Sequence, residues 1–143
     1  MTYIGVDYGD SRTGLAIAPD GICAVPYAVI DSSAGRRKTA DAVARIAFEK
    51  RAGCIVIGYP LNMDGSSGRR IAVTEKFAAA LKTALEKQSH DASIIFWDER
   101  LTSRIAESKL RESGTSVNSK GISDQIAAAA ILQDYLDSIK GKE

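Results

Sequence analysis

Tyr3-Ile4-Gly5-Val6-Asp7-Tyr8-Gly9-Asp10-Ser11-Arg12-Thr13-Gly14-Leu15-Ala16-Ile17-Ala18 opens the chain, and its reading decides the fold class. The apolar run from Tyr3 to Val6 breaks at a turn-forming cluster, Asp7-Tyr8-Gly9-Asp10-Ser11. A second short apolar run, Gly14 to Ala18, follows at once. Asp20-Gly21 marks a tight hairpin turn. Ile22 to Ile30 then predicts a third strand, which Pro26 places at a sheet edge or an irregularity. Three short strands joined by turns make an antiparallel meander.

Further along, the period changes to helix–strand alternation. From Arg36 to Arg51, Thr39, Val43, Ile46 and Ala47 recur at helical spacing. Cys54-Ile55-Val56-Ile57, ending at Gly58, reads as a strand buried on both faces. Ile71, Thr74, Ala78, Leu81 and Leu85 make the next helical stripe, with Ser66 or Ser67 as its N-cap. Ser93-Ile94-Ile95-Phe96-Trp97 is a fifth strand; Leu101 to Glu112 and Ser119 to Ile139 are helices. Short crossovers set the last two strands parallel to the first. The fold class is therefore α/β, a five-stranded mixed sheet of three antiparallel strands and then two parallel ones, flanked by helices.

The 143 residues suit one compact domain, 1–143, and 45% hydrophobic content suffices for its core. No stretch reaches the roughly 18 to 20 apolar residues that cross a bilayer, so no membrane role is expected. The N-terminus has no basic region before its apolar run, which predicts a cytoplasmic protein. Cys23 and Cys54 lie in apolar stretches without CxxC spacing and are expected as buried, reduced thiols. His90, in a polar stretch without a partner histidine, reads as a surface loop residue. A net charge of +1 argues against coating nucleic acid by bulk charge, so any such contact needs a local basic patch.

Three acids stand out by position. Asp7 ends the first strand, and Asp98 or Glu99 follows the fifth, at the carboxyl edge where α/β sheets place their sites. Asp124 opens the last helix, ahead of Ala127 to Ala130, small residues that let a helix approach the sheet closely. Singly, each acid is more often structural: a turn former, an ion-pair partner, or a residue favoured by a helix dipole. Together, three carboxylates repel one another until protonated or bridged by a cation. Hard oxygen ligands select Mg²⁺ or Mn²⁺, ions that assist phosphodiester hydrolysis.

Four segments then resemble a known family, in its order: Ile4-Gly5-Val6-Asp7-Tyr8-Gly9-Asp10-Ser11-Arg12-Thr13-Gly14, Gly58-Tyr59-Pro60-Leu61-Asn62-Met63-Asp64-Gly65, Asp98-Glu99-Arg100-Leu101-Thr102-Ser103 and Asp124-Gln125-Ile126-Ala127-Ala128-Ala129-Ala130-Ile131-Leu132-Gln133. They resemble the YqgF family, also called RuvX, of pre-16S rRNA nucleases and Holliday-junction-resolvase-like proteins. The likeness covers nearly the whole chain. It implies a ribonuclease H-like fold and a Mg²⁺- or Mn²⁺-dependent nuclease that processes the 5′ end of precursor 16S rRNA. Its implied partners are precursor rRNA and ribosomal particles, with the protein a monomer or weak dimer. Fold likeness to the resolvase RuvC keeps branched DNA as the alternative substrate. The family's acidic positions fall on Asp7, Glu99 and Asp124, which favours Glu99 over Asp98. Many members carry a basic run before the last motif, where Ser116 to Gly121 holds only Lys120; many also have Leu at the position of Tyr59.

Around this centre, the loop from Gly58 to Gly68, with Asn62, is expected at the same edge. It either holds a phosphate with the help of Arg69 and Arg70, or is a glycine-rich connection with solvated arginines. Arg12 and Arg100 are expected to contact phosphates, or else to pair with Asp10 or Asp98. Arg36-Arg37-Lys38 is read as a solvated face in preference to a nucleic-acid arm. Tyr8 and Trp97 are read as packing residues. Two other functions fit parts of the pattern. An ATP-binding phosphotransferase of the actin and sugar-kinase type would use Asp7 to Gly14 as a phosphate hairpin but needs two domains. A non-catalytic nucleic-acid-binding module would keep the fold without the acids.

Overall fold

A computed structural model describes residues 1–59, 68–98 and 120–140. Five strands, β1 (Thr2–Asp7), β2 (Arg12–Ala18), β3 (Val25–Asp31), β4 (Ala52–Tyr59) and β5 (Ser93–Asp98), form one sheet in the order β3-β2-β1-β4-β5. The first three pair antiparallel, and β4 and β5 run parallel to β1, as the meander and crossovers predict. The helices are α1 (Arg36–Lys50), α2 (Gly68–Lys87) and α3 (Lys120–Lys140). The helix expected over 101–112 and the N-cap at Ser66 or Ser67 lie outside the described residues. Among those residues, no helix is long and apolar enough to cross a membrane.

Strand alternation divides the core. Ile4, Val6, Leu15, Ile17, Ile55 and Ile57 face α1 and α2, where Val43, Phe77 and Leu81 pack against them. Ala16, Ala18, Cys54 and Val56 face α3, against Ala128, Ala129, Ile131, Leu132 and Leu136. The parallel strand β4 is apolar on both sides because helices cover both. Most of each stripe expected on α1 and α2 is buried, Thr39, Val43 and Ala47 on the first and Thr74, Ala78, Leu81 and Leu85 on the second, while Ile46 and Ile71 are half-buried at its margin. On both helices the buried face is wider than expected, since Ala40 and Ala44, and Phe77 and Ala84, join it.

Three local expectations need correction. β3 begins at Val25, not Ile22. The Asp20 carboxylate accepts hydrogen bonds from the amides of Ile22 (2.9 Å) and Cys23 (3.2 Å), which holds Asp20 below the usual carboxylate range. Gln133 of α3 takes the next two groups, accepting from the Ala24 amide (2.8 Å) and donating to the Ile22 carbonyl (3.0 Å). A backbone engaged by side chains in this way does not join the ladder. Pro26 does lie on the edge strand, opposite a register shift between Leu15 and Ala16. Second, Cys23 sits in this connection and is exposed; only Cys54 is buried, and both thiols are free. Third, His90 is half-buried: its Nε2 lies 2.7 Å from the Ala52 carbonyl oxygen and its ring meets Phe48 edge-on. The imidazole ties the turn after α2 to the start of β4.

Candidate active site

β1, β4 and β5 run parallel, so their carboxyl ends share one edge of the sheet. Asp7 is the last residue of β1, and its partner across the antiparallel pair is Gly14 of β2. Directly opposed residues point to the same face. The face is fixed two residues earlier, where a Cβ built on Gly5 would lie 2.7 Å from the Leu132 Cβ and 2.8 Å from the Ala128 carbonyl oxygen. Gly5 and Asp7 therefore both face α3.

The helix comes closest at Gly14. A Cβ there would collide with the carbonyl group of Asp124 and stand 3.0 Å from its Cβ. Only a residue without a side chain leaves room for the backbone of α3 at this point. Asp124 is thus placed over the partner of Asp7, and the two acids share one corner of the molecule. Small residues, Gly5, Gly14 and Ala16 on the strands and Ala128 and Ala129 on the helix, are what bring this corner together.

Arg12 stands at the same corner. Its Nε donates to Asp124 Oδ2 at 2.9 Å, with both side chains partly exposed. A pair this accessible contributes at most about 1 kcal/mol. Its partner is the acid expected at the metal, neither Asp10 nor Asp98. Asp10 pairs instead with Arg70, whose second nitrogen donates to the Tyr8 carbonyl at 3.0 Å. Arg70, expected at the substrate, thus fastens the start of α2 to the turn between β1 and β2. Arg69 is exposed on the first turn of α2. Glu99, Arg100 and Asn62 lie outside the described residues. Asp98 alternates with Ile94 and Phe96 onto the opposite face from Trp97.

Sequence reasoning missed the framework under the site. The Thr13 hydroxyl, fully buried, lies 2.6 Å from Ser32 Oγ, and the Ser32 amide donates to the Ser11 carbonyl at 2.9 Å. These bonds lock the end of β3 to the turn that carries Asp10 and Arg12. Tyr8, read as packing, is buried and stacks on Phe77 with ring centroids 4.2 Å apart. Burial, and then Asp10, raises the Tyr8 phenol, while Arg36 and Arg70 act in the opposite direction. Trp97 is half-buried and donates to Asp134 Oδ2 at 2.7 Å. A hydroxyl pair 19 residues apart has no local signature, so only the fold reveals it.

Asp7 and Asp124 are hard oxygen donors, and the soft or nitrogen donors lie elsewhere. His90 and Cys54 sit near the amino end of β4, and Cys23 precedes β3. The donor chemistry of the corner fits Mg²⁺ or Mn²⁺. Among the described residues, no group of three His, Cys, Asp or Glu side chains is placed to hold a metal.

Comparison with known proteins gives two kinds of match. A family model described as RuvX, Holliday junction resolvase, matches residues 1–138. A protein of Ruminiclostridium cellulolyticum named "Putative pre-16S rRNA nuclease" is 39% identical, covering 100% of this chain and 99% of its own. One of the same name from Acetivibrio thermocellus is 38% identical, over 99% of both chains. Among solved structures, RuvC of T. thermophilus in complex with a Holliday junction substrate superposes with a TM-score of 0.63 at 16% identity, covering 99% of this chain and 96% of that one. Fowlpox virus resolvase with its Holliday junction DNA gives a TM-score of 0.58 at 12% identity, over 97% and 99%. At such identities the structures speak for the fold alone, the ribonuclease H-like sheet of the RuvC-type resolvases.

Proposed function

Since the chain belongs to the RuvX family, we infer that the corner formed by Asp7 and Asp124 is the centre of a divalent-metal nuclease that processes the 5′ end of precursor 16S rRNA. The protein is a phosphodiester-hydrolysing nuclease. Its ribonuclease substrate is inferred from the full-length relatives, whose names refer to pre-16S rRNA, in preference to the more distant resolvases that share its fold. Family membership also favours hydrolysis over the phosphotransferase and non-catalytic readings.

The observation that carries the proposal is the contact of Asp124 with Gly14, opposite Asp7. With Glu99 as the third expected ligand, these carboxylates would hold Mg²⁺ or Mn²⁺. The bound ion supplies a Lewis acid for the phosphate and a more acidic water. Asp7 is held by the β1–β2 ladder and Asp124 by a helix seated on that ladder, so neither needs to reorganise when substrate arrives. Arg12 is placed to neutralise Asp124 in the resting protein and to meet a phosphate beside it. Arg69, Arg100 and Asn62 are proposed substrate contacts, and Arg70 is a positioning residue.

The test is incubation with a precursor 16S rRNA fragment and, separately, a four-way DNA junction, with and without Mn²⁺. Metal-dependent cleavage of the RNA is expected, abolished in Asp7→Asn and in Asp124→Asn while both variants keep the wild-type fold. Undiminished cleavage by both variants would remove this corner from the chemistry. Cleavage of the junction alone would transfer the activity to DNA.

A further inference from the structure

Because β1, β3 and β4 all run towards the active-site edge, α1 and α2 both start there. They then descend side by side along the face opposite α3. Between them lies a cleft of about 640 Å³ lined by Arg36, Arg37 and Lys38 from α1 and by Lys76, Ala79 and Ala80 from α2. It continues, through Arg37 and Ala80, into a smaller cavity of about 260 Å³ that adds Lys87 and one acid, Asp41. Five cations against one carboxylate is a steep local excess in a protein of net charge +1.

These cations have no structural employment that would account for them. The ion pairs among the described residues are Arg12–Asp124 and Arg70–Asp10, so no cation of the cleft is neutralised by one. Basic residues in the first turn of α1 also oppose its dipole, and the turn holds no acid and no side-chain cap. The helix therefore presents unpaired amides and three cationic side chains together, an arrangement that suits anionic oxygen. The end of the cleft at Gly35 and Arg36 lies where α1 begins, just after β3 closes against Arg12 at the site edge.

We propose that the cleft between α1 and α2 grips the phosphate backbone of a double-helical arm of the nucleic-acid substrate, holding it over the sheet edge while the scissile strand lies at Asp7 and Asp124. This rests on nucleic acid being the substrate. Cations from both helices, in a cleft whose lining includes alanines and no aromatic side chain, suit backbone recognition by shape and charge, without base reading.

The test measures binding separately from chemistry. Full-length Asp7→Asn protein is titrated with a fluorescent RNA duplex bearing a single-stranded tail, and with the tail alone, across a range of KCl. Adding Arg37→Glu and Lys76→Glu should weaken duplex binding at least about tenfold and lower the salt slope by about two, as two lost phosphate contacts require. Tail binding should be unchanged, as should Mn²⁺-dependent cleavage of a short single strand when Asp7 is intact. A control reversing Arg45 and Lys140, both exposed and outside the cleft, should change duplex affinity far less. Equal losses in the two double variants would overturn the proposal, as would an unaltered salt slope. Displacement by polyglutamate more readily than by unlabelled duplex would overturn it in favour of an acidic protein. Failure of the nuclease reading would appear as absent cleavage with duplex binding still dependent on the cleft.

Discussion

The two faces of the sheet are built from different sizes of side chain. Towards α1 and α2, the strands present Ile4, Val6, Leu15, Ile17, Ile55 and Ile57, and Phe77 and Leu81 fill the space between. Towards the start of α3 they present Gly5, Gly14 and Ala16, and the helix answers with Ala128 and Ala129. At about 25 cal/mol for each Å² of apolar surface removed from water, the large face supplies more of the stability. The small face gives up that area for proximity. Its helix backbone comes within touching distance of β2, and that closeness puts Asp124 beside Asp7. One face holds the molecule together; the other sets the position of a carboxylate.

Substitutions on the two faces should therefore fail in different ways. Gly14→Ala has the largest expected effect, since its Cβ would collide with the backbone of Asp124. A displacement of even 1 Å at a reacting centre can cost about a hundredfold in rate, and the overpacking about 1–3 kcal/mol in stability. Turnover measured well below the melting temperature should fall by that order, and normal turnover there would break the comparison. Leu81→Ala, fully buried on the other face, should lower stability by about 2–5 kcal/mol in a urea titration. Its activity per folded molecule should match wild type. A comparable loss of rate would show that the large face also tunes the site.

Gly5→Ala should sharpen the contrast. Its Cβ would meet the Leu132 Cβ at 2.7 Å and the Ala128 carbonyl at 2.8 Å, two residues below Asp7, a milder clash than the one at Gly14. A loss of about 1–3 kcal/mol is expected, with a smaller loss of activity than in Gly14→Ala. If Gly5→Ala loses more activity, α3 pivots about its middle instead of its start. The smallest effect concerns Cys54, whose thiol burial pushes up from 9.0 to about 11. The fold favours the neutral thiol, so that stability is complete below pH 9 and fades as pH rises through 11. Melting temperatures followed over this range should fall less steeply in Cys54→Ala. In native protein at pH 8, a thiol reagent should label Cys23 quickly and Cys54 only on unfolding.

Much of the fold was legible in the sequence because period and burial coincide. β4 is apolar throughout and buried on both faces, and the stripes on α1 and α2 are the ones that face the sheet. The position of Asp7 followed from the end of an apolar run. What escaped depends on distant partners. Ile22, Cys23 and Ala24 continue an apolar pattern, yet Asp20 and Gln133 hold them out of the ladder, the latter from 109 residues away. His90 looks solvated until the start of β4 is brought beneath it. Gly14 reads as a weak place in a strand, since nothing local says that a helix will occupy the missing side chain's volume. Arg12 reads as a partner for Asp10 or Asp98, and pairs instead with Asp124, 112 positions on.

That last separation has a consequence in time. Arg12 and Asp124, which meet at this corner, emerge far apart during synthesis, which proceeds at about 5 to 20 residues per second. Between Arg12 and Asp124 lie 112 positions, so roughly 6 to 20 seconds pass before the second partner exists. Throughout that interval the surface later covered by α3, including Ala16, Ala18 and Val56, has no helix to cover it. The proposed centre therefore cannot assemble until Asp124 has been made.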